Sequence, residues 1–517
     1  MKTIDSDLSK KLWSAADSLR GNISSEQYMI VVIGLLFLKY MSDKYENALI
    51  QLKKDHPENY KYFANNKDIL ASKYNCSFIV PPKASWNYIA EYASSKEEIG
   101  SKIDQAFLLI EEQNVELKNL LDKNYNRQEL DPIKLGQVIT EFTDIDLEKY
   151  GEDVIGRTYE YFLGNFFKKQ GQKGGEFYTP ASIVQLLVEL IEPNKGRIYD
   201  PACGTGGMFV QARRHMQTNN LKPNSLIVYG QEYQNKIWKL AKINLLLHNF
   251  NSLDINLGPK SADTFSDDLF KGEEFDFILA NPPFNIKKWG YKKLIDDVRW
   301  KWGIPPQGNA NYAWLSHILT KLNSKGHAGI VLANGSLSSQ QKGELQIRKN
   351  LIKENKVDAI IALPDKLFYT TTIPACLWIF NNNKKHERVL MIHANELEGN
   401  MLSKRLRELT DSEINKVSSL YKKHKKGEVI NETGFAKSVV ATDIEENDYS
   451  FMPGRYIDID FEENQIDKEK LINELKKLLK EIPELINDFK KTASKVNDSL
   501  ETVLKKIEKS KKIKLKK

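Results

Sequence analysis

A chain of 517 residues, 41% of them apolar, is long enough for roughly two to four domains with buried cores. Its net charge of +7 suggests nucleic acid, yet sixteen lysines against nine acids fall in residues 465–517 alone. Residues 1–464 are therefore neutral, and any DNA contact they make is confined to local patches. Three scattered cysteines, Cys76, Cys203 and Cys376, exclude a disulfide framework and point to a reducing cytoplasm, while eight histidines without metal-ligand spacing give no reason to expect a metal.

The first seven residues lack the apolar stretch of a signal peptide. Residues 1–145 carry helical patterns with almost no alternation and are predicted to form an all-helical N-terminal domain. Within it, Ser24-Ser25-Glu26-Gln27 has the form of a capping box and opens into the longest apolar run, residues 29–38. Ten residues fall short of the roughly twenty that cross a bilayer, so this is a buried helix and no membrane partner is expected.

Between 146 and 395 short apolar runs alternate with helices, the pattern of an α/β domain. Runs at 196–199, 227–230, 254–257, 275–280, 328–333, 357–362 and 376–380 predict a doubly wound sheet of seven strands. Ligands of such sheets sit at the carboxyl ends of the strands. Between Ile286 and Pro305, Lys287, Lys288, Lys292, Lys293, Arg299 and Lys301 interleave with Trp289, Tyr291, Trp300 and Trp302. That mixture suits either a mobile loop that meets phosphates and a displaced base, or an amphipathic lid packed on its own domain.

Residues 396–464 read as a helical and extended connector with no target-reading module. In 465–517, Leu471, Leu475, Leu478, Ile482, Leu485, Phe489, Ala493, Val496, Leu500, Val503 and Ile507 form a heptad-like seam. The seam predicts helix pairing, either with another chain or as a hairpin within this one. Pro483 is expected to split it, with a break at Glu481-Ile482.

Two turns carry the chemistry. The first strand leads into Asp200-Pro201-Ala202-Cys203-Gly204-Thr205-Gly206-Gly207, whose glycines let the backbone approach a ligand but lack the Gly-x-Gly-x-x-Gly spacing of a dinucleotide site. A carboxylate at the head of the loop suits a cationic ligand better than a pyrophosphate, and S-adenosylmethionine carries a sulfonium and an ammonium. Asp200 can pair with that ammonium, with Ala202, Gly204, Thr205, Gly206 and Gly207 forming the cradle. Glu232, just past the second strand, can accept from both ribose hydroxyls. Asp263, beyond the third, either faces the cofactor adenine or caps a helix.

The second turn is Asn281-Pro282-Pro283-Phe284, at the end of the fourth strand. The exocyclic amine of adenine is a poor nucleophile because its lone pair is delocalised into the ring. Carbonyl acceptors from the Asn281 side chain and the Pro282 backbone can draw its hydrogens, push the nitrogen toward tetrahedral geometry and aim the lone pair at a methyl donor. Pro282 and Pro283 fix the backbone and remove two competing donors, while Phe284 offers a ring to a base turned out of a duplex. Alone, such a turn is also an ordinary chain reversal.

In the order Glu176-Phe177-Tyr178-Thr179-Pro180, then Asp200 to Gly207, then Asn281 to Phe284, the chain resembles the amino-methyltransferases that modify adenine N6 in DNA. Over nearly its whole length it resembles the modification subunit of type I restriction-modification systems. The resemblance implies that Phe177, Tyr178, Thr179 and Pro180, opened by Glu176, contact the methionine part of the cofactor. It likewise implies that Asp200 and the glycines form the methionine loop, that Glu232 is the ribose acid, and that Asn281, Pro282 and Phe284 are the catalytic element. It further implies a reversed final strand, a helical front that helps clamp double-stranded DNA, and C-terminal helices that grip a specificity subunit. Two copies per specificity subunit and an added restriction subunit are expected on the same ground. Three other readings stay open: a self-sufficient adenine methyltransferase, an enzyme acting on protein glutamine amides, and a scaffold that kept the fold without activity.

Overall fold

The computed structural model describes residues 24–144, 154–170, 179–222, 225–368, 374–403 and 406–458, with isolated positions in 10–19 and 475–494. Two compact units result, Met1–Asp458 and Ile459–Lys517.

The first unit opens with helices. In α1 (Ser25–Asp55), Ser24 Oγ accepts the Gln27 N–H at 3.2 Å and Gln27 Oε1 accepts the Ser24 N–H at 3.2 Å, which is the expected capping box. Tyr28, Val31, Val32, Leu35 and Leu38 are fully buried, so the apolar run is a core helix. Among the described residues no helix is long and apolar enough to cross a membrane. Past shorter helices at Tyr60–Phe63, Lys67–Tyr74 and Trp86–Glu91 come α2 (Ile99–Gln113) and α3 (Pro132–Thr143), the latter started by Asp131, whose carboxylate accepts the Ile133 N–H, with proline at the first helical position. No strand occurs among the described residues up to 144. After α4 (Val154–Gln170) and α5 (Ala181–Ile191), α6 (Gly207–Thr218) and α7 (Asn235–Leu247) alternate with strands. Tyr40 fastens the helical front to α7, its Oη donating to the Leu246 carbonyl at 3.2 Å, and Tyr159 fastens α4 to the same helix, its Oη donating to the Leu240 carbonyl at 2.7 Å.

All seven expected strands form: β1 (Gly196–Asp200), β2 (Leu226–Gly230), β3 (Ile255–Asn256), β4 (Phe275–Ala280), β5 (Leu322–Ala333), β6 (Val357–Ala362) and β7 (Ala375–Asn381). The count of seven is nonetheless too low. β8 (Val389–His393) pairs parallel to β6, and beyond the separate hairpin of β9 (Asn400–Ser403) and β10 (Leu406–Glu408), β11 (Asn431–Glu432) and β12 (Ala436–Val439) complete a sheet of ten strands. The order is β11-β12-β8-β6-β7-β5-β4-β1-β2-β3. β12 reaches β8 across more than forty residues, a pairing no local pattern announces. β7 runs antiparallel to both neighbours, β5 and β6, as expected of the seventh strand, and β12 is reversed as well, antiparallel to β8. The expected connector therefore carries strands of the central sheet.

Helices α8 (Asn311–Lys321) and α9 (Lys342–Lys353) cover one face of the sheet, and α5 with α10 (Asp411–Lys425) covers the other. Alternation along β7 makes both cores at once: Leu377 and Ile379 enter the α5/α10 side, Trp378 and Phe380 the α8/α9 side.

The tryptophan-rich segment after the proline turn is a packed lid. Trp289, Trp300 and Trp302 are buried, the first two beside Phe265 and Trp314. Arg299 is also interior, donating to the Thr264 carbonyl at 3.0 Å and the Phe265 carbonyl at 2.6 Å and pairing with Asp297 at 2.8 Å. These rings and this guanidinium are thus committed to the fold; Lys287, Lys292, Lys293 and Lys301 are exposed on its surface, and Lys288, also exposed, borders the cavity at the carboxyl ends of β1, β2 and β4.

In the second unit, residues 479–483 are helical in succession, so the break expected at Glu481-Ile482 is absent. Proline costs the helix a hydrogen bond, but its φ is compatible with continuation. Leu475, Leu479, Ile482 and Ile486 are 47–63% exposed and fall on one helical face. Of these four only Leu475 and Ile482 belong to the expected seam; its remaining members, Leu471, Leu478, Leu485, Phe489, Ala493, Val496, Leu500, Val503 and Ile507, lie outside the described residues.

Candidate active site

A cavity of about 740 Å³ opens at the carboxyl ends of β1, β2 and β4. Its floor is built by the glycine turn. Asp200 ends β1, and the Gln231 N–H donates to the Asp200 carbonyl at 3.0 Å while the Cys203 N–H donates to the Gln231 carbonyl at 2.9 Å, which locks the two strand ends together. Gly206, at φ 81°, turns the chain into α6. Nothing lies within 4 Å of where a Gly207 Cβ would be, so the first turn of α6 faces open space.

Two buried acids flank this floor. Asp200 Oδ1 accepts the Ala202 N–H at 2.9 Å, Glu232 Oε2 accepts the Gly204 N–H at 3.2 Å, and Glu232 Oε1 accepts the Gln234 N–H at 2.8 Å. Burial, reinforced by the Glu232 charge and opposed by the Ala202 N–H, pushes the Asp200 carboxyl up to about 8. Burial also raises Glu232, against the backbone donors that favour its ionised form. A cation entering this space would relieve both acids. Thr205 and Ala202 line the cavity with them, as does Asp263, whose Oδ1 accepts the Phe265 N–H at 2.9 Å.

On the opposite wall stands the proline turn. Asn281 Nδ2 donates to Thr179 Oγ1 at 2.9 Å, and Asn281 Oδ1, although buried, has no hydrogen-bond partner among the described residues. Pro282 and Pro283 line the cavity, and the Phe284 ring meets Phe368 edge-on at 5.8 Å between centroids. Immediately after the turn, Asn285 adopts φ 56°, and its Oδ1 accepts from Asn309 Nδ2 and Asn311 Nδ2, each at 3.0 Å. The Asn285 N–H donates back to Asn311 Oδ1 at 3.0 Å. Three asparagines therefore clamp the exit of the turn.

Comparison with known proteins bears on this geometry. Residues 150–465 match the family of N-6 DNA Methylase, and residues 8–142 match the HsdM N-terminal domain. The chain belongs to the N-6 DNA methylase family. Within that family it groups with the type I methylase subunits. The type I restriction enzyme MjaIX methylase subunit of Methanocaldococcus jannaschii is 35% identical over 514 residues, 94% of this chain and 90% of that one. The HindI methylase subunit of Haemophilus influenzae is 38% identical over 371 residues, 69% and 83% of the two chains. Among solved structures, the methyltransferase subunit of the type I restriction-modification system of Streptococcus thermophilus superposes with a TM-score of 0.75 at 27% identity, over 88% of this chain and 100% of that one. Residues 459–491 match the Paired amphipathic helix repeat.

Most of the residues singled out in the sequence of this adenine-specific DNA methyltransferase converge on one cavity. Glu176, Phe177 and Tyr178 lie outside the described residues. Pro180 serves as the residue before α5, and Thr179 contacts Asn281. Several cavity residues had not been singled out, among them Glu160, Tyr233, Asn244, Trp314 and Phe368. Asn244 had a signal, a polar residue inside the apolar run Ile243-Asn244-Leu245-Leu246-Leu247. It is 2% exposed, donates to the Thr205 carbonyl at 2.8 Å, and steadies the glycine turn.

Proposed function

We propose that this methylase subunit transfers a methyl group from S-adenosylmethionine to the N6 amine of an adenine turned out of double-stranded DNA. The observation that carries this reading is the Asn281 amide: its NH₂ end is occupied by Thr179, which leaves a buried, unpartnered carbonyl at the cavity wall for an incoming N–H. Support for the cofactor comes from the acids raised by burial and the open space over Gly207, which together suit a ligand carrying an ammonium and a ribose.

Bound S-adenosylmethionine supplies an electrophilic methyl carbon on a sulfonium. Asp200 holds the ammonium, Glu232 the ribose hydroxyls, and Asp263 the adenine edge. By family resemblance, Phe177, Tyr178, Thr179 and Pro180, opened by Glu176, would contact its methionine part. Asn281 and the Pro282 carbonyl accept the two N6 hydrogens, which concentrates the lone pair on nitrogen; Phe284 stacks on the base. The cofactor would supply the methyl group, its sulfur keeping the bonding pair as nitrogen gains the carbon, and the surplus amine proton would pass to water afterwards, so no prior base is needed.

Thr179 acts on this step by orienting Asn281. Thr179→Val is expected to lower the transfer rate about tenfold to a hundredfold, the effect of one buried hydrogen bond left unmade, with the KM for the cofactor nearly constant. A raised cofactor KM at unchanged rate would instead make Thr179 a cofactor contact.

Sequence recognition comes from a specificity subunit held by the tail, with two methylase copies to one specificity subunit, a restriction subunit joining them, and the assembly working in the cytoplasm. The exposed apolar face at Leu475, Leu479, Ile482 and Ile486 supports an intermolecular seam. Leu479→Glu with Ile482→Glu is expected to abolish co-purification with the specificity subunit while cofactor binding persists; retention of the complex would move the interface elsewhere. The function itself is tested by transfer of labelled methyl to DNA, using the chain alone and then the assembled complex. Transfer only in the complex is the expected result, and no transfer in either would remove the reading.

A further inference from the structure

Three side chains that methyl transfer does not use converge at the other edge of the sheet. Asp358 is the second residue of β6 and so lies at the amino end of that strand, opposite the carboxyl ends that hold the cavity. His386 sits between β7 and β8, and His424 in the last turn of α10. One ligand atom from each lies within 4.8 Å of the others.

Asp358 and His424 are fully buried, and among the described residues Asp358 Oδ1, His386 Nδ1 and His424 Nε2 have no partner at hydrogen-bond distance, Asp358 Oδ1 and His424 Nε2 facing each other at 3.6 Å. A polar atom left without a partner in a core is costly, and one shared cation would satisfy all three side chains. The remaining polar atoms are held from outside. Asp358 Oδ2 accepts from Tyr421 Oη at 2.7 Å and from Asn381 Nδ2 at 3.2 Å, and His424 Nδ1 lies 3.2 Å from Ser438 Oγ. Such outer hydrogen bonds orient metal ligands and leave the opposite atom free to coordinate.

Distance separates a metal site from a bare ion pair. His424 Nε2 and Asp358 Oδ1 are 3.6 Å apart. A direct charge-assisted bond closes to about 2.7–2.9 Å. Two ligands each about 2.0–2.2 Å from a shared tetrahedral ion stand about 3.4 Å apart, close to what is found. Lys384, the nearby cation, is turned aside: its Nζ donates to the Val357 carbonyl at 2.7 Å and to Asn355 Oδ1 at 2.8 Å.

We propose that Asp358, His386 and His424 hold a divalent cation of the zinc class, with water as the fourth ligand. Two imidazoles and one carboxylate select zinc, cobalt or nickel over magnesium and calcium, which require oxygen ligands. His386, only partly buried, gives the ion its entry. The ion would tie the start of β6, the β7–β8 turn and the end of α10 into one joint, remote from the chemistry.

The test uses the untagged full chain, stripped with chelator and dialysed, then titrated calorimetrically with zinc and with magnesium. One zinc equivalent per chain, a raised melting temperature, no magnesium uptake, and a cobalt derivative with the intense visible absorption of a tetrahedral site are expected. His386→Ala, at a partly exposed turn, should bind zinc more than tenfold more weakly while keeping its circular dichroism and its affinity for S-adenosylmethionine. Absence of stoichiometric zinc in the wild type, a weak octahedral cobalt spectrum, or undiminished uptake by His386→Ala would each overturn the proposal.

Discussion

Asn281→Ala is expected to lower methyl transfer by the assembled enzyme at least a hundredfold to a thousandfold, the order of effect seen when a preorganised partner of the reacting group is removed. Among the described residues the side chain makes one hydrogen bond, to Thr179, and its loss leaves behind a hydroxyl that water can satisfy. Stability and cofactor affinity should therefore change little, and the loss should fall on kcat. Asn281→Asp provides the contrast. Its carboxylate can still accept from an amine, and Thr179 can switch from acceptor to donor, so part of the rate should return. Single-turnover transfer of labelled methyl would measure both variants. Full activity in Asn281→Ala would mean that the amine is activated elsewhere.

The second large effect is in pH. A neutral carboxyl cannot pair with an ammonium, so binding S-adenosylmethionine selects the ionised form of Asp200. Because that carboxyl sits at about 8 in the free protein, binding below this pH releases a proton, and affinity should climb by up to about tenfold per pH unit from 6 toward 8 and then level off. Stability of the free protein runs the other way. A carboxyl whose folded pKa lies above its ordinary 3.8 contributes stability below that value and loses it as pH rises through about 8. The rise in melting temperature caused by the cofactor should thus be larger at pH 8 than at pH 6. Calorimetric titration across this range tests the slope, which Asp200→Asn should flatten; an unchanged slope in that variant would assign the proton to another group.

Sequence and fold agree where signals are local. The capping box at Ser24 and Gln27, the seven strand runs and both cavity turns are short patterns whose meaning depends on adjacent residues. What stayed hidden was set by distance along the chain. β12 pairs with β8 from far downstream, so the sheet extends past its expected last strand. The lid tryptophans have the same composition whether they stack on a base or fill a core, and only the contacts of Arg299 with Asp297 and two carbonyls decide between these. Asp358, His386 and His424 have no motif spacing at all; the β6 start, a turn and a helix end bring them together.

The two ends of the sheet carry a further consequence. Its outermost strands, β3 and β11, are each two residues long, and β11 is the polar pair Asn431–Glu432. A wide, apolar sheet with long open margins would template edge-to-edge pairing between molecules and so invite aggregation. Here the margins are too short to recruit another strand, so a protein with a broad β-rich interior avoids polymerising through its backbone.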